Sequence, residues 1–323
     1  MLRATLSERE IRRALGLPGE GERVVDGVAP LDAGEDRCLY FINKKLAGTA
    51  RESLTGRRGC IVISPRGSGL VGELDDCLVL EAADPRAAFA KVLGFIRAEG
   101  RQSPLVAERT ISPSAVISPL SVVEGAVEIG DGVIVEPFCM IGPDVRVGRG
   151  TILRSGSRVF PRVVIGDESV VGVNTVVGHE GYGFVRDEGG NKKRIPHLGG
   201  VEVGSHVELG PLATVQSGTI TPTVIEDYAK IGDGVYVGHN VRVGRNASVT
   251  GGVLIGGNAV ETEAWVGINS SIREGRRVGA HALVGMDASV QHDLPDNTVA
   301  RAPRADVGER PGGDSAAIGF TER

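Results

Sequence analysis

Large side chains are scarce in this 323-residue chain: aromatics make up 4% of it, with one Trp, and there are only three Met and four Cys. A core packed on large rings is therefore excluded for most of its length. No apolar run approaches the roughly 18 residues of a membrane-spanning helix, and MLRATLSEREIRRAL lacks the apolar block of a signal peptide. No membrane span is expected, and the cytoplasm is the default location. The charge excess is small as well: a net charge of −5 gives no reason to propose a nucleic-acid partner. Cys38, Cys60, Cys77 and Cys139 have no metal-ligand spacing, and the first three sit in or beside apolar stretches. That predicts reduced core thiols rather than a disulfide or zinc site.

What is abundant is small, with 48 glycines and an aliphatic residue on a beat of six. The beat runs through Ile111, Ile117, Val123, Ile129, Val135, Ile141, Val147, Leu153, Val159, Ile165, Val171 and Val177. It resumes at Val203 and Leu209, again from Ile225 through Ile231, Val237, Val243 and Val249 to Ile255, and finally from Val260 to Val290. A period of six fits neither an amphipathic helix nor a simple alternating strand; it is the mark of a parallel β-helix in which each hexad makes one face of a triangular coil. Each aliphatic side chain then stacks on its equivalent eighteen residues away, while Gly, Asp and Asn turn the corners. A β-sandwich would show turn signals every 8 to 12 residues instead. The spacing does not give the handedness of the coil.

Three segments follow. Residues 1–103 do not keep the beat and read as an N-terminal α/β domain. Ser7 and Glu10 form a capping box ahead of a helix to Leu15, CLYFIN (38–43), GCIVIS (59–64) and CLVLE (77–81) read as strands, and Asp84-Pro85 opens a helix to Ala98. Residues 104–302 hold the solenoid, and 303–323 form a polar tail. The beat breaks in three places. Residues 179–200 are too long for a corner and must project as a loop; a second slip spans Gln216 to Val224; a third loses one residue between Ile255 and Val260. Insertions on a repeat scaffold are where function tends to reside.

The strand with YFIN, the DPRAAFAKV helix, the entry PSAVISPLSVVEGAVEIGDGV, GYGF followed by RIPHLG, then TVIED and GHN at 238–240 resemble one family in content and order. It is the UDP-3-O-acylglucosamine N-acyltransferases of lipid A biosynthesis, and the resemblance covers residues 25 to 300. It implies a left-handed parallel β-helix (a hexapeptide-repeat solenoid) with an N-terminal α/β domain, assembled as a homotrimer with active sites between subunits. It also implies an acyl thioester as co-substrate, acyl carrier protein or CoA, with no permanently bound cofactor, and a nucleotide-linked amino sugar as acceptor. This chain departs from the family where Gln216 and Ser217 replace an Asp-Arg pair, at Leu46 where an aromatic is expected, at a second histidine with no match in WVGINSSI, and at the C-terminal end.

The resemblance implies that His239 is the general base. An amino sugar must lose a proton before it attacks a thioester, and imidazole, with an ordinary pKa of about 6.5, is matched to take it. Val237 points into the shaft, which puts His239 at or near an outward corner. Gly257, eighteen residues on, is then a candidate to turn its N–H toward the oxyanion. A histidine that only caps the corner with Asn240 is the alternative, and Asn240 also counts among the substrate-binding candidates. Tyr182 and Phe184, set between glycines, are candidates to wall an acyl or sugar pocket, and Lys192, Lys193 and Arg194 to meet phosphate. A solvated hairpin tip is the other reading of those cations. The family stacks uracil on a segment that matches Tyr40, Asn43 and Lys45, against which stands a core tyrosine at a strand end. His179, His197, His206, His281 and His292 read as solvated imidazoles, and no spacing among the histidines suits a zinc site.

Three functions remain open on this reading. They are an N-acyltransferase acting on a nucleotide-activated amino sugar, an O- or N-acetyltransferase with a non-nucleotide acceptor, and a non-enzymatic solenoid scaffold.

Overall fold

The computed structural model describes residues 1–43, 47–254 and 256–303. Lys45, Leu46 and the greater part of the polar tail lie outside the described residues. The chain begins with a five-stranded sheet in sequence order, β1 (Leu2–Ser7), β2 (Val24–Val28), β3 (Cys38–Phe41), β4 (Arg58–Pro65) and β5 (Asp76–Ala82). β1 and β2 are antiparallel and the rest are parallel. Helix α1 (Glu8–Leu15) carries the predicted capping box, Ser7 accepting from the Glu10 N–H while the Glu10 carboxylate reaches back to Ser7. After α2 (Ala47–Leu54), helix α3 (Pro85–Ala98) starts at the Asp84 cap, with Pro85 in its first turn where no N–H is needed. Its face of Phe89, Val92, Leu93 and Ile96 packs on one side of the sheet, while Ala50 and Leu54 of α2 pack on the other side with Tyr40 and Cys60. The strands Leu2–Ser7 and Val24–Val28 are additions to what the sequence predicts. All four cysteines are free, with Cys38, Cys60 and Cys139 buried and Cys77 partly so.

From Thr110 to Ala300 the chain coils as the predicted parallel β-helix. Its three faces are parallel sheets of ten, nine and nine short strands. The first face runs from Val116–Ile117 to Val299–Ala300, the second from Val122–Val123 to Ser289–Val290, and the third from Thr110–Ile111 to Arg277–Val278. Beat residues pair with their equivalents one coil away, Val135 with Leu153 and Ile141 with Val159, and pile into one continuous apolar shaft. A backbone rule accompanies the beat: the third residue after an inward aliphatic takes a positive φ and turns the corner. Asp144, Asn174, Asn246 and Asn269 hold such positions, residues that tolerate the left-handed region. Phe138, Leu212 and Tyr228 also hold them, each at a local cost of about 1 to 3 kcal/mol that coil stacking must offset.

One break in the beat sits elsewhere than the sequence count suggests. The inward residue of the short coil is Leu254, fully buried and paired with Val237 and Ile272, not Ile255, which is outside the described residues. The missing residue therefore falls before Leu254, at the corner made by Gly251 and Gly252. The two long breaks, after Val177 and after Val215, both leave the helix on the edge joining the second face to the third. His239 stands on that same edge, one coil past the second break and two past the first.

Candidate active site

Strand Tyr236–Val237 ends with Val237 in the shaft, Gly238 follows, and Asn240 takes the corner at φ 59°. His239 is thereby turned outward, partly buried beneath the two insertions. Asn240 is held from several sides. Its Oδ1 accepts from the N–H and the hydroxyl of Thr219, both at 3.0 Å, and its Nδ2 donates to the carbonyl and hydroxyl oxygens of Thr221, also at 3.0 Å. A backbone N–H only donates and a backbone carbonyl only accepts, so these partners fix which end of the amide is oxygen. That oxygen lies 3.2 Å from Nδ1 of His239. Nδ1 must therefore carry the proton, which leaves Nε2 of the neutral ring as the basic nitrogen.

Glycines make the space for this ring. Because Val237 pairs with Leu254, His239 is level with Gly256, and a Cβ there would stand 2.6 Å from both Cε1 and Nε2 of the imidazole. On the hairpin side a Cβ at Gly181 would stand 2.9 Å from the Cβ of His239 and 2.5 Å from Nε2 of His197. The His197 and His239 rings lie 4.9 Å apart, tilted by 55°. His197 is 6% exposed and its Nδ1 has no hydrogen-bond partner. Burial pushes its pKa down to about 4, and His239 adds to the shift. Glu180 accepts from the His197 backbone N–H at 3.2 Å and pairs with Arg97 from the last turn of α3, tying the site to the N-terminal domain. Below, the Tyr236 hydroxyl donates to Gln216, whose Nε2 donates to the Glu180 carbonyl.

The arrangement offers a basic nitrogen of defined tautomer beside a glycine backbone, with Gly181 and His197 of the first insertion packed against the ring. Among the described residues no group of His, Cys, Asp and Glu is placed to hold a metal ion.

Residues 126–161 and 222–257 match the family described as bacterial transferase hexapeptide (six repeats). The UDP-3-O-acylglucosamine N-acyltransferase of Coxiella burnetii is 33% identical over 270 residues, spanning 79% of this chain and 75% of that protein. The enzyme of the same name from Delftia acidovorans is 34% identical over 285 residues, spanning 87% and 76%. This chain belongs to the UDP-3-O-acylglucosamine N-acyltransferase family. It is an acyltransferase. Among solved structures, UDP-N-acetylglucosamine acyltransferase from Campylobacter jejuni is similar at 24% identity and a TM-score of 0.48, over 59% of this chain and 70% of that one.

Of the residues expected at the site, the structure brings His239, Asn240 and the base of the projecting loop together. That loop is an antiparallel hairpin, Phe184–Arg186 against Lys192–Arg194. Tyr182, 72% exposed, packs edge-on against Phe184 at 5.0 Å, the Arg194 guanidinium covers the Phe184 ring, and Arg194 donates to the Gly181 carbonyl. Lys192 and Lys193 are exposed, and Lys193 pairs with Asp187 at 3.7 Å. Strand alternation puts Lys193 on the opposite side from Lys192 and Arg194, so the three cations do not form one patch.

Three expectations are corrected. Gly257 cannot offer its N–H to an oxyanion, because that N–H donates to the His239 carbonyl at 2.9 Å. The short coil shifts the register by one, and Gly256 takes the level of the base. Tyr40 is fully buried and its hydroxyl bonds both the N–H and the carbonyl of Glu35, so it cannot stack on a base. Asn43, beyond it, is exposed. His197, expected in solvent, is buried against His239 instead. The other imidazoles stay apart: His179 edges Phe160, His206 stacks on Tyr228, and His281 meets Glu263.

Proposed function

We propose that this chain transfers an acyl group from an acyl thioester, carried by acyl carrier protein or CoA, to the amine of a nucleotide-linked amino sugar, with His239 as general base. The observation that carries this is the fixed Asn240 amide, which leaves Nε2 of His239 as a proton acceptor. The amine nitrogen attacks the thioester carbonyl, Nε2 takes the proton that the nitrogen sheds, and the C–S bond breaks. The same proton then passes to the leaving sulfur, giving an amide and a free thiol with no covalent enzyme intermediate. The Gly256 N–H, at the level of the imidazole, is the candidate donor to the oxyanion. In this reading Tyr182, Phe184 and Arg194 would wall the approach, and the exposed Lys192 would meet a phosphate.

A homotrimer suits the surface. Val116 and Ile134 at one end and Trp265, Leu283 and Val299 at the other leave an apolar stripe along the first face, broken by the Glu208–Lys230 ion pair, and a groove of about 830 Å³ runs beside Trp265. A neighbouring coil would cover that stripe; sedimentation at the mass of one chain would contradict it.

A second reading, acylation of a non-nucleotide acceptor, is favoured by the burial of Tyr40, since one expected base-stacking ring is spent in the core. Mass spectrometry of products from a panel of acyl thioesters with amino sugar nucleotides and simple amines separates the two. An amide formed only on the nucleotide sugars supports the first reading, and one formed equally on simple amines overturns it.

A further inference from the structure

Burying an imidazole nitrogen without a partner is costly, and an apolar side chain would fill position 197 more cheaply. His197 is nonetheless almost fully enclosed, its Nδ1 unpaired, with its ring against the one imidazole that the proposed reaction charges. Its place is also built from outside the coil. Glu180 takes its backbone N–H and Arg97 of α3 holds Glu180, while Gly181 and Gly183 keep the space beside the ring open.

We propose that His197 is a positioning residue for the base, a second imidazole whose ring dipole supports the positive charge that His239 acquires when it takes the proton. The inference rests on His239 being the base. For the role to work, His197 must not compete for the proton. The groups facing it are His239, Glu180 and Arg194, and burial together with His239 keeps it neutral at any pH where the amine can react. A neutral ring beside a charged one lends its dipole without repelling. The hairpin therefore completes the reaction centre as well as covering it.

The test uses three full-length variants, His197→Phe, His197→Gln and His239→Ala, assayed for kcat, for acceptor KM and for thermal midpoint. His197→Phe keeps a ring, removes both nitrogens and relieves the unpaired one. It is expected to be at least as stable as the parent, yet to lose about tenfold in kcat with acceptor KM within threefold. His197→Gln restores a neutral polar group and is expected to recover kcat to within threefold of the parent. In His197→Phe the acid limb of kcat/KM moves to lower pH, because the charged form of His239 has lost support. Full activity in His197→Phe, or a Gln variant as slow as the Phe variant, overturns the proposal. His239→Ala separates the two claims: if it keeps full turnover the base assignment fails, whatever position 197 does.

Discussion

Gly256→Ala adds one methyl group to the floor of the site, and the geometry says what must follow. Gly256 does not occupy the left-handed region, so alanine is free of backbone strain there. Its Cβ would, however, stand 2.6 Å from Cε1 and Nε2 of His239, nearly 1 Å short of an ordinary contact of about 3.5 Å. The ring has little room to retreat, with Gly181 and His197 on its other side. A displacement of that size at a reacting group costs on the order of 100-fold in rate, or about 2.7 kcal/mol of barrier. The expected variant folds with a thermal midpoint close to the parent and a kcat lower by about two powers of ten. Gly257→Ala is the matched control. It meets only Gly275 Cα at 3.9 Å, but its φ of 72° is one that alanine resists. It should lose about 1 to 2 kcal/mol of stability and keep kcat within a fewfold. Steady-state kinetics with chemical denaturation on both proteins decides. If Gly256→Ala turns over at the parental rate, the ring is not where the reaction needs it and the reasoning is wrong.

Asn240→Gly keeps the corner's positive φ but removes the amide that fixes the His239 tautomer; kcat should fall about tenfold or more while circular dichroism is unchanged. Tyr40→Phe should lose about 1 kcal/mol of stability from the hydroxyl bonds to Glu35, with acceptor KM unaltered in steady-state assays; a raised KM would return Tyr40 to the binding site. His197 gives a pH signature. Its folded pKa of about 4 lies below the 6.5 of a free imidazole, so between those values the unfolded chain binds the extra proton. Stability therefore falls as pH drops through that window. By denaturant titration, His197→Phe should flatten that fall by on the order of 3 kcal/mol.

Much of the architecture could be read from the residues because a six-residue beat has one physical solution, and Val135, Leu153 and Val171 do stack as the spacing demands. The corner at Asn240 was legible too, since Asn is a common non-glycine choice for positive φ. The count failed at Leu254 and Ile255, where two neighbouring aliphatics satisfy the beat equally and only the Gly251-Gly252 corner chooses between them. That one-residue slip moved the partner of His239 from Gly257 to Gly256. Tyr40 was misplaced because a strand end looks alike whether its ring faces ligand or core, and its bonds to Glu35 are invisible in sequence. His197 was missed for a different reason. It meets His239 only after a hairpin folds back across two coils, a contact that no local spacing encodes.

The most direct test of the central claim is the kcat of His239→Ala against the parent, on the acyl thioester and amino sugar nucleotide that give product, with matched circular dichroism. A general base whose removal leaves the fold intact predicts a loss of about 10² to 10⁴-fold. Turnover within threefold of the parent would contradict it.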